Sequence, residues 1–283
     1  METKLLNNES VDTIHSAFVE AFSDYAVNIA MTKEKFQDFI RCRDINKDYS
    51  VGLYEKGLVG FILNGYRIID GQRYCYDGGT GFLPTYRNQG LGSKLLQQMI
   101  MMLRERGIQH YVLEVLEDNI PAQKLYEKYG FHISRHLLCY KAQRKAMAEL
   151  NLVDKNFRLN EIDGNQLANY ITWWDYTPTW QNATPSILND PNYRSFELLR
   201  ENEVVGYGVI HSTAGDIPQF AIKREFRGKG FGKILFKMLA ESTYAEELRL
   251  INVEDKPEFA AALEKIGFAP FVNQFEMQFS FEN

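Results

Sequence analysis

Apolar residues recur three and four apart at Val11, Ile14, Ala17, Phe18, Ala21 and Phe22. That spacing puts one apolar stripe on a helix, and Ser10 is placed to cap it. Ser23-Asp24-Tyr25 breaks the pattern, and a second helix is expected after Thr32, with Phe36, Phe39 and Ile40 buried. Strand signals follow at 49–54, a turn at Glu55-Lys56-Gly57, then 58–66, a turn at Asp70-Gly71, and 73–76. Asp77-Gly78-Gly79-Thr80-Gly81 interrupts what reads as a central strand. Three glycines weaken a ladder, so this stretch predicts a bulge or the close approach of a ligand. Helical spacing returns at Leu95, Leu96, Met99, Ile100 and Leu103 and stops at Gly107. A strand at 111–116 follows, then a helix opened by Asn119 and Pro121, with Ala122, Leu125, Tyr126 and Tyr129 on one face and Gly130 at its end. The last strand of this half runs over 131–140. The order predicts a mixed α/β layer fold, an α+β mixed sheet covered by helices.

Residues 141–149 are polar and helix-prone and read as a connection. Beyond Asn156 come a strand at 157–159, a helix through Leu167, Tyr170 and Ile171, and a hairpin over 196–210 turning at Asn202. An approach strand at 216–222 leads to a helix with Leu235, Phe236 and Leu239 on its stripe. A strand at 248–253 and a helix carrying Phe259, Leu263 and Ile266 close the series at Gly267-Phe268. This repeats the first half about 140 residues later, and predicts domains at 1–141 and 156–283 with a linker at 142–155.

Composition narrows the class. With 283 residues, 45% hydrophobic and 13% aromatic, each half can bury a core. A net charge of −5 argues against nucleic acid or an anionic membrane surface as the main partner. Cys42, Cys75 and Cys139 are few, odd in number and without CxxC spacing, which suits reduced thiols rather than a disulfide framework or a metal site. No apolar run approaches ~20 residues, and Met1-Glu2-Thr3-Lys4 is not a signal peptide. The expectation is a soluble cytoplasmic protein.

The candidate chemistry starts at Arg87-Asn88-Gln89-Gly90-Leu91-Gly92, between a strand ending Phe82-Leu83-Pro84 and an apolar helix. Alternate glycines let the chain turn tightly and present N–H groups, the helix start adds its dipole, and Arg87 adds a full charge. This is an anion seat, with an echo at Arg227-Gly228-Lys229-Gly230-Phe231-Gly232. It is not a P-loop, because Ser93 rather than Lys follows Gly92, and the third glycine of a dinucleotide fingerprint would fall at Leu95.

The chain resembles the GNAT superfamily of N-acetyltransferases. Arg87, Gly90 and Gly92 match its acetyl-CoA signature. Leu113-Glu114-Val115, Asn119, Ala122, Leu125-Tyr126 and Gly130-Phe131 are similar to the branch that acetylates the N-terminal alanine of a ribosomal protein. The resemblance implies acetyl-CoA as co-substrate, no metal, and two tandem GNAT (acyl-CoA N-acyltransferase) folds. It implies that Thr80, Gly81 and Phe82 line the pantetheine arm with their backbone. Asn88, Gln89, Gly90, Leu91, Gly92 and Ser93 would hold the pyrophosphate, and Asn119 would contact the cofactor. Glu114 matches the general base and Tyr126 the general acid.

The chemistry asks for these residue types independently. An amine must lose a proton to attack a thioester, and a carboxylate in a partly apolar strand can take it. The departing thiolate, near pKa ~8.5, is matched by a tyrosine near ~10. The oxyanion needs a fixed donor, which a backbone N–H freed by a bulge at Gly81–Phe82 would supply.

The second half keeps the turn and loses the chemistry. Counting back from Gly267-Phe268, Ile251 stands where Glu114 does, Leu263 where Tyr126 does, and Lys256 where Asn119 does. The expectation is a catalytic first domain and a degenerate second one. Arg227, Gly228, Lys229, Gly230 and Gly232 either form a second CoA site or persist only for backbone geometry. Trp173, Trp174 and Trp180 cluster in one irregular segment, where they would either pack between domains, the favoured reading, or wall an acceptor pocket. The acceptor is a primary amine, on a peptide N-terminus or a small molecule. A CoA-binding regulatory or assembly protein without turnover is the alternative.

Overall fold

The computed structural model describes residues 1–24, 31–150 and 156–281; Tyr25, at the expected helix break, lies outside them. The chain forms two compact units, Met1–Ser134 with Phe275–Asn283, and Arg135–Gln274.

Unit 1 runs β1 (Glu2–Leu5), α1 (Val11–Ala21), α2 (Lys33–Cys42), β2 (Val51–Tyr54), β3 (Leu58–Ile69), β4 (Gln72–Phe82), α3 (Leu91–Glu105), β5 (His110–Leu116) and α4 (Ile120–Lys128). The helix starts follow from side-chain caps. Ser10 Oγ accepts from Thr13 N at 3.0 Å and Thr32 Oγ1 accepts from Lys35 N at 3.3 Å, each cap worth about 1 kcal/mol. Strands β1 to β4 form an antiparallel meander, and β5 joins β4 in parallel. Alternation along the strands then sorts the side chains into two cores. On one face Phe61 and Leu63 of β3 meet Ile14, Ala17 and Phe18 of α1 and Phe36 and Phe39 of α2. On the other, Ile62, Cys75, Tyr111, Leu113 and Val115 meet Leu95, Leu96, Met99 and Leu103 of α3 and Tyr126 of α4.

The remaining strands of the chain are β6 (His132–Gln143), β7 (Phe157–Ile162), β8 (Tyr193–Arg200), β9 (Glu203–His211), β10 (Phe220–Ile222), β11 (Glu247–Glu254) and β12 (Ala269–Ser280). The helices between them are α5 (Arg144–Ala148), α6 (Thr184–Leu188), α7 (Phe231–Glu241) and α8 (Pro257–Ile266). In unit 2 the order β10-β9-β8-β7 makes an antiparallel sheet, and β6 pairs antiparallel with β11. Helix α7 buries Ile234, Leu235, Phe236 and Leu239 against Leu198, Val205, Leu248 and Leu250.

Several expectations are corrected here. The C-terminal residues from Phe275 complete unit 1 rather than the second domain. Residues 275–280 of β12 lie beside β5, Met277 and Phe281 enter the α3 core, and Phe281 N donates to Gln109 O at 3.0 Å. The expected boundary at 141 falls inside β6, which leaves unit 1 at Arg135. Residues 142–150 are not a free linker either. Strand β6 continues to Gln143, and Met147 of α5 is buried in the unit 2 core; 151–155 lie outside the described residues. The helix expected around Leu167 and Tyr170 is a 3-10 helix, Gly164–Trp173, and the strand expected at 216–222 shrinks to β10 plus one parallel bridge from Asp216 to Arg249. The tryptophans pack inside unit 2. Trp173 and Trp174 lie on Tyr170 and Tyr207, Trp174 Nε1 donates to the Tyr207 hydroxyl, and Trp180 is buried. Trp173 meets the Tyr170 ring edge-on, and Tyr170 stacks on Tyr207 in the same core.

Among the described residues no helix is long and apolar enough to cross a membrane, and no group of three or more His, Cys, Asp and Glu side chains could hold a metal ion.

Candidate active site

The bulge in β4 sits earlier than expected. Leu63 faces Gly79 while Asn64 faces Asp77, so Gly78 is the extra residue, and Gly81 and Phe82 are back in register with Phe61 and Gly60. A Cβ on Gly81 would stand 2.7 Å from the Phe61 ring and 3.1 Å from Ala21 Cβ, which explains a glycine there. The freed edge has another origin. The parallel β4–β5 ladder pairs Tyr74 to Asp77 with His110 to Leu113 and goes no further. Leu83 N donates to Val59 O on the β3 side at 3.0 Å. Because N–H directions alternate along a strand, the Phe82 N–H points the other way, into the gap left by β5.

Tyr126 and Glu114 flank this gap from opposite faces of the sheet. Tyr126 belongs to the α3 core and is 7% exposed. Its hydroxyl donates to Asp77 Oδ2 at 2.9 Å. Glu114 lies between Leu113 and Val115 of that core and so projects to the other face, where the Tyr76 hydroxyl donates to its Oε2 at 2.5 Å. Burial pushes the Tyr76 phenol well above its ordinary pKa, and Glu114 adds to the effect, so Tyr76 stays a donor. Glu114, a carboxylate in a partly apolar strand, is thus held by a phenol. Asp77 is 6% exposed and accepts from Thr80 Oγ1 at 2.7 Å and from Gly79 N at 3.0 Å. Burial raises its pKa, and the three hydrogen bonds oppose that only in part.

The glycine turn opens α3. Asn88 and Gly90 take positive φ, 60° and 72°, and Gly90 is the N-cap with no side chain capping the helix. The first N–H groups of α3, Leu91, Gly92 and Ser93, thus have no intrahelical partner. A Cβ on Gly92 would make only ordinary contacts of 3.5 Å and 3.6 Å, so its conformation does not demand glycine as Gly90's does. Ser93 Oγ contacts the Tyr129 hydroxyl at 2.7 Å and accepts from Lys128 Nζ at 3.0 Å, which brings a cation the sequence reading passed over to this helix start. Gln89 Nε2 is turned back to Thr85 O.

Arg87 does something other than present its charge. Its Nε donates to Phe82 O, its Nη2 to Ala21 O, and Nη1 and Nη2 to the Asp24 carboxylate at 2.8 Å and 2.9 Å. The hydrogen bond from Arg87 outweighs desolvation and lowers the Asp24 pKa. The guanidinium is paired with Asp24 and ties the turn to the end of α1, so Arg87 straps the loop. Asn119 is the N-cap of α4, its Oδ1 accepting from Ala122 N at 3.3 Å.

Comparison with known proteins places the chain in a family. Residues 11–131 match the model of the acetyltransferase (GNAT) family, and residues 161–280 match that of an acetyltransferase (GNAT) domain. The chain belongs to the GNAT superfamily. It is 50% identical over 50 residues to the [ribosomal protein bS18]-alanine N-acetyltransferase of Haemophilus influenzae, over 18% of this chain and 34% of that protein. It is 40% identical over 55 residues to a mycothiol acetyltransferase of Corynebacterium aurimucosum, covering 19% and 18%. The chain thus spans about a third or less of the length of these curated relatives. A tandem GNAT protein from the clavulanic acid biosynthesis pathway has the same fold along 99% of this chain and 98% of its own, with a TM-score of 0.73 at 14% identity.

The second GNAT unit repeats the frame residue for residue. Gly228 and Gly230 take φ of 73° and 83°, Gly230 caps α7 with no side-chain bond, and Arg227 donates to Ile222 O, Trp173 O and Asp175. Lys256 is the N-cap of α8, as Asn119 is of α4, but makes no side-chain cap and donates instead to Asp175 O. The polar set is gone. Leu263 replaces Tyr126 and is 2% exposed in the α7 core, and Ile251 replaces Glu114. Ile217, ten residues before Arg227 as Asp77 is before Arg87, is also buried.

Proposed function

We propose that the protein is an acetyl-CoA-dependent N-acetyltransferase that acts on a primary amine through unit 1. The observation that carries the reading is the pair of hydroxyl–carboxylate contacts, Tyr76–Glu114 and Asp77–Tyr126, on opposite faces of the sheet where β4 and β5 part. Acetyl-CoA is the co-substrate. The residues present fit it, with an uncapped helix start and left-handed Gly90 for the pyrophosphate and the open edge at Thr80–Phe82 for an extended arm. In this reading Asn88 to Ser93 bind through backbone N–H groups, and Arg87 holds their loop in shape. Asn119 sets the start of α4, and with it the height of Tyr126.

Glu114, on one face, takes the proton of the attacking amine directly or through water, and Tyr126, on the other, gives a proton to the departing sulfur. The Phe82 N–H, aimed into the gap, is the donor for the developing oxyanion. The acceptor is a peptide N-terminus or a small amine. The short matches to an N-terminal acetyltransferase and to a mycothiol acetyltransferase support one each. Unit 2 lacks the polar set, which supports a supporting or purely binding role there.

The test is CoA release measured across a panel of peptide N-termini and small amines. Turnover on at least one class is expected. Tight acetyl-CoA binding without turnover on any acceptor would replace the enzyme with a binding protein.

A further inference from the structure

We infer that Asp77 is a positioning residue for Tyr126: it holds the phenol at the β4–β5 gap and replaces the proton that Tyr126 gives to sulfur. The inference rests on the reading of Tyr126 as the acid. Three observations carry it. The Asp77 carboxyl and the Tyr126 hydroxyl meet at 2.9 Å, both almost fully buried, just where the parallel ladder stops. Among the described residues no cation pairs with Asp77, and burial favours its neutral form. A buried carboxyl in a strand core, without a cation, calls for a reason beyond packing. In unit 2 the two positions change together, to Ile217 and Leu263, both 2% exposed. A carboxyl needed only for the bulge would have no cause to disappear with the phenol.

The step balances. The amine nitrogen bonds to the acetyl carbon, the C–S bond breaks, and sulfur leaves with the electron pair. With Asp77 protonated the contact reverses, the acid O–H donating to the Tyr126 oxygen and the Tyr126 O–H turning to the gap. The Tyr126 proton then passes to sulfur while the Asp77 acid proton passes to the Tyr126 oxygen. Phenol is regenerated, CoA leaves as thiol, and Asp77 remains as carboxylate. Thr80 Oγ1 at 2.7 Å and Gly79 N at 3.0 Å already point at that carboxylate and stabilise it. The amine proton goes to Glu114, and water returns a proton to Asp77 after release.

Asp77→Asn keeps the shape and the hydrogen bond but has no acid proton. Its kcat should fall about ten- to a thousandfold, with the KM for acetyl-CoA and the melting temperature near wild type. The double variant with Tyr126→Phe should be no slower than Tyr126→Phe alone, because the two act as one unit. A wild-type kcat in Asp77→Asn beside a slow Tyr126→Phe overturns the inference and leaves the Tyr126 reading intact, as does a loss that multiplies in the double variant. A wild-type kcat in Tyr126→Phe removes both. Should Asp77→Asn not fold, Asp77→Ser serves. It should lower kcat several-fold in the wild-type background and not at all in Tyr126→Phe, and equal loss in both backgrounds would count against the proposal.

Discussion

Units 1 and 2 build the same turn in two chemical surroundings. Both open a helix on a left-handed glycine, Gly90 or Gly230, and both tie the preceding loop with an arginine bonded to two backbone carbonyls and one aspartate. Around the first turn stand Asp77, Glu114 and Tyr126; around the second stand Ile217, Ile251 and Leu263. The arginine strap and the positive φ are requirements of the loop itself, so they persist wherever the loop does. Buried carboxyls and phenols bring a desolvation cost that a scaffold has no use for, and apolar replacements remove it. The turn therefore reports the frame, and the residues across the gap report chemistry.

The sharpest way to break this comparison is to exchange the unlike residues. Glu114→Ile should lower kcat/KM about 100- to 10,000-fold, measured on any acceptor the panel identifies, with the fold kept. The reciprocal Ile251→Glu should leave kcat/KM unchanged. Next in size, Tyr126→Phe should lower kcat about ten- to a thousandfold with acetyl-CoA affinity nearly unchanged. Unchanged turnover would take Tyr126 out of the mechanism. Gly90→Ala and Gly230→Ala probe the like residues. Each should cost about 1–2 kcal/mol of stability in thermal melts, since each φ is left-handed and the space beside each glycine is open. Only Gly90→Ala should also raise the KM for acetyl-CoA. A matching rise from Gly230→Ala would show that unit 2 takes part in cofactor binding. Arg227→Ala should cost stability and barely alter kcat, and a collapse in kcat with the fold intact would make the second turn part of catalysis.

The smallest effect concerns acid stability in unit 2. Burial alone would raise the Asp190 pKa, but hydrogen bonds from His211 and from Asn192 outweigh it and hold it at about 2. A depressed carboxylate contributes stability that is present above its unfolded pKa, near ~3.9, and lost as pH falls toward the folded value. Acid unfolding monitored between about pH 4 and 2 should therefore have a shallower slope in Asp190→Asn than in the wild type. An identical slope would mean that the Asp190–His211 pair makes no linked contribution.

Much of the frame was readable from order along the chain. The stripe Leu95, Leu96, Met99, Ile100 and Leu103, the cap at Ser10 and the stop at Gly107 are local, and local rules suffice for them. Long-range partners were out of reach. Asp77 and Tyr126 are 49 residues apart, and no periodicity relates a bulged strand to a later helix. The signal that could have found Asp77 was its type: an ionisable residue entering a glycine run inside a core strand. The partners of Arg87 were out of reach for a related reason. A cation beside a glycine turn suggests an anion, but whether its guanidinium faces solvent or folds back on Phe82, Ala21 and Asp24 depends on where α1 ends. The residues from Phe275 were assigned to the second domain by their place in the chain, and chain order does not say which strand a later one joins.

By itself the sequence determined most of the helices and strands, their repetition, and the spacing of Glu114 and Tyr126 after a glycine turn. Each of these depends on residues within one helix or strand, where backbone geometry relates neighbours directly. Tertiary structure alone decided which groups meet: Tyr76 with Glu114, Asp77 with Tyr126, Arg87 with Asp24, and residues 275–280 beside β5. Those contacts arise from packing two layers of helices on a bulged sheet, and the free energy of each hydrogen bond and burial exists only once distant segments are in place.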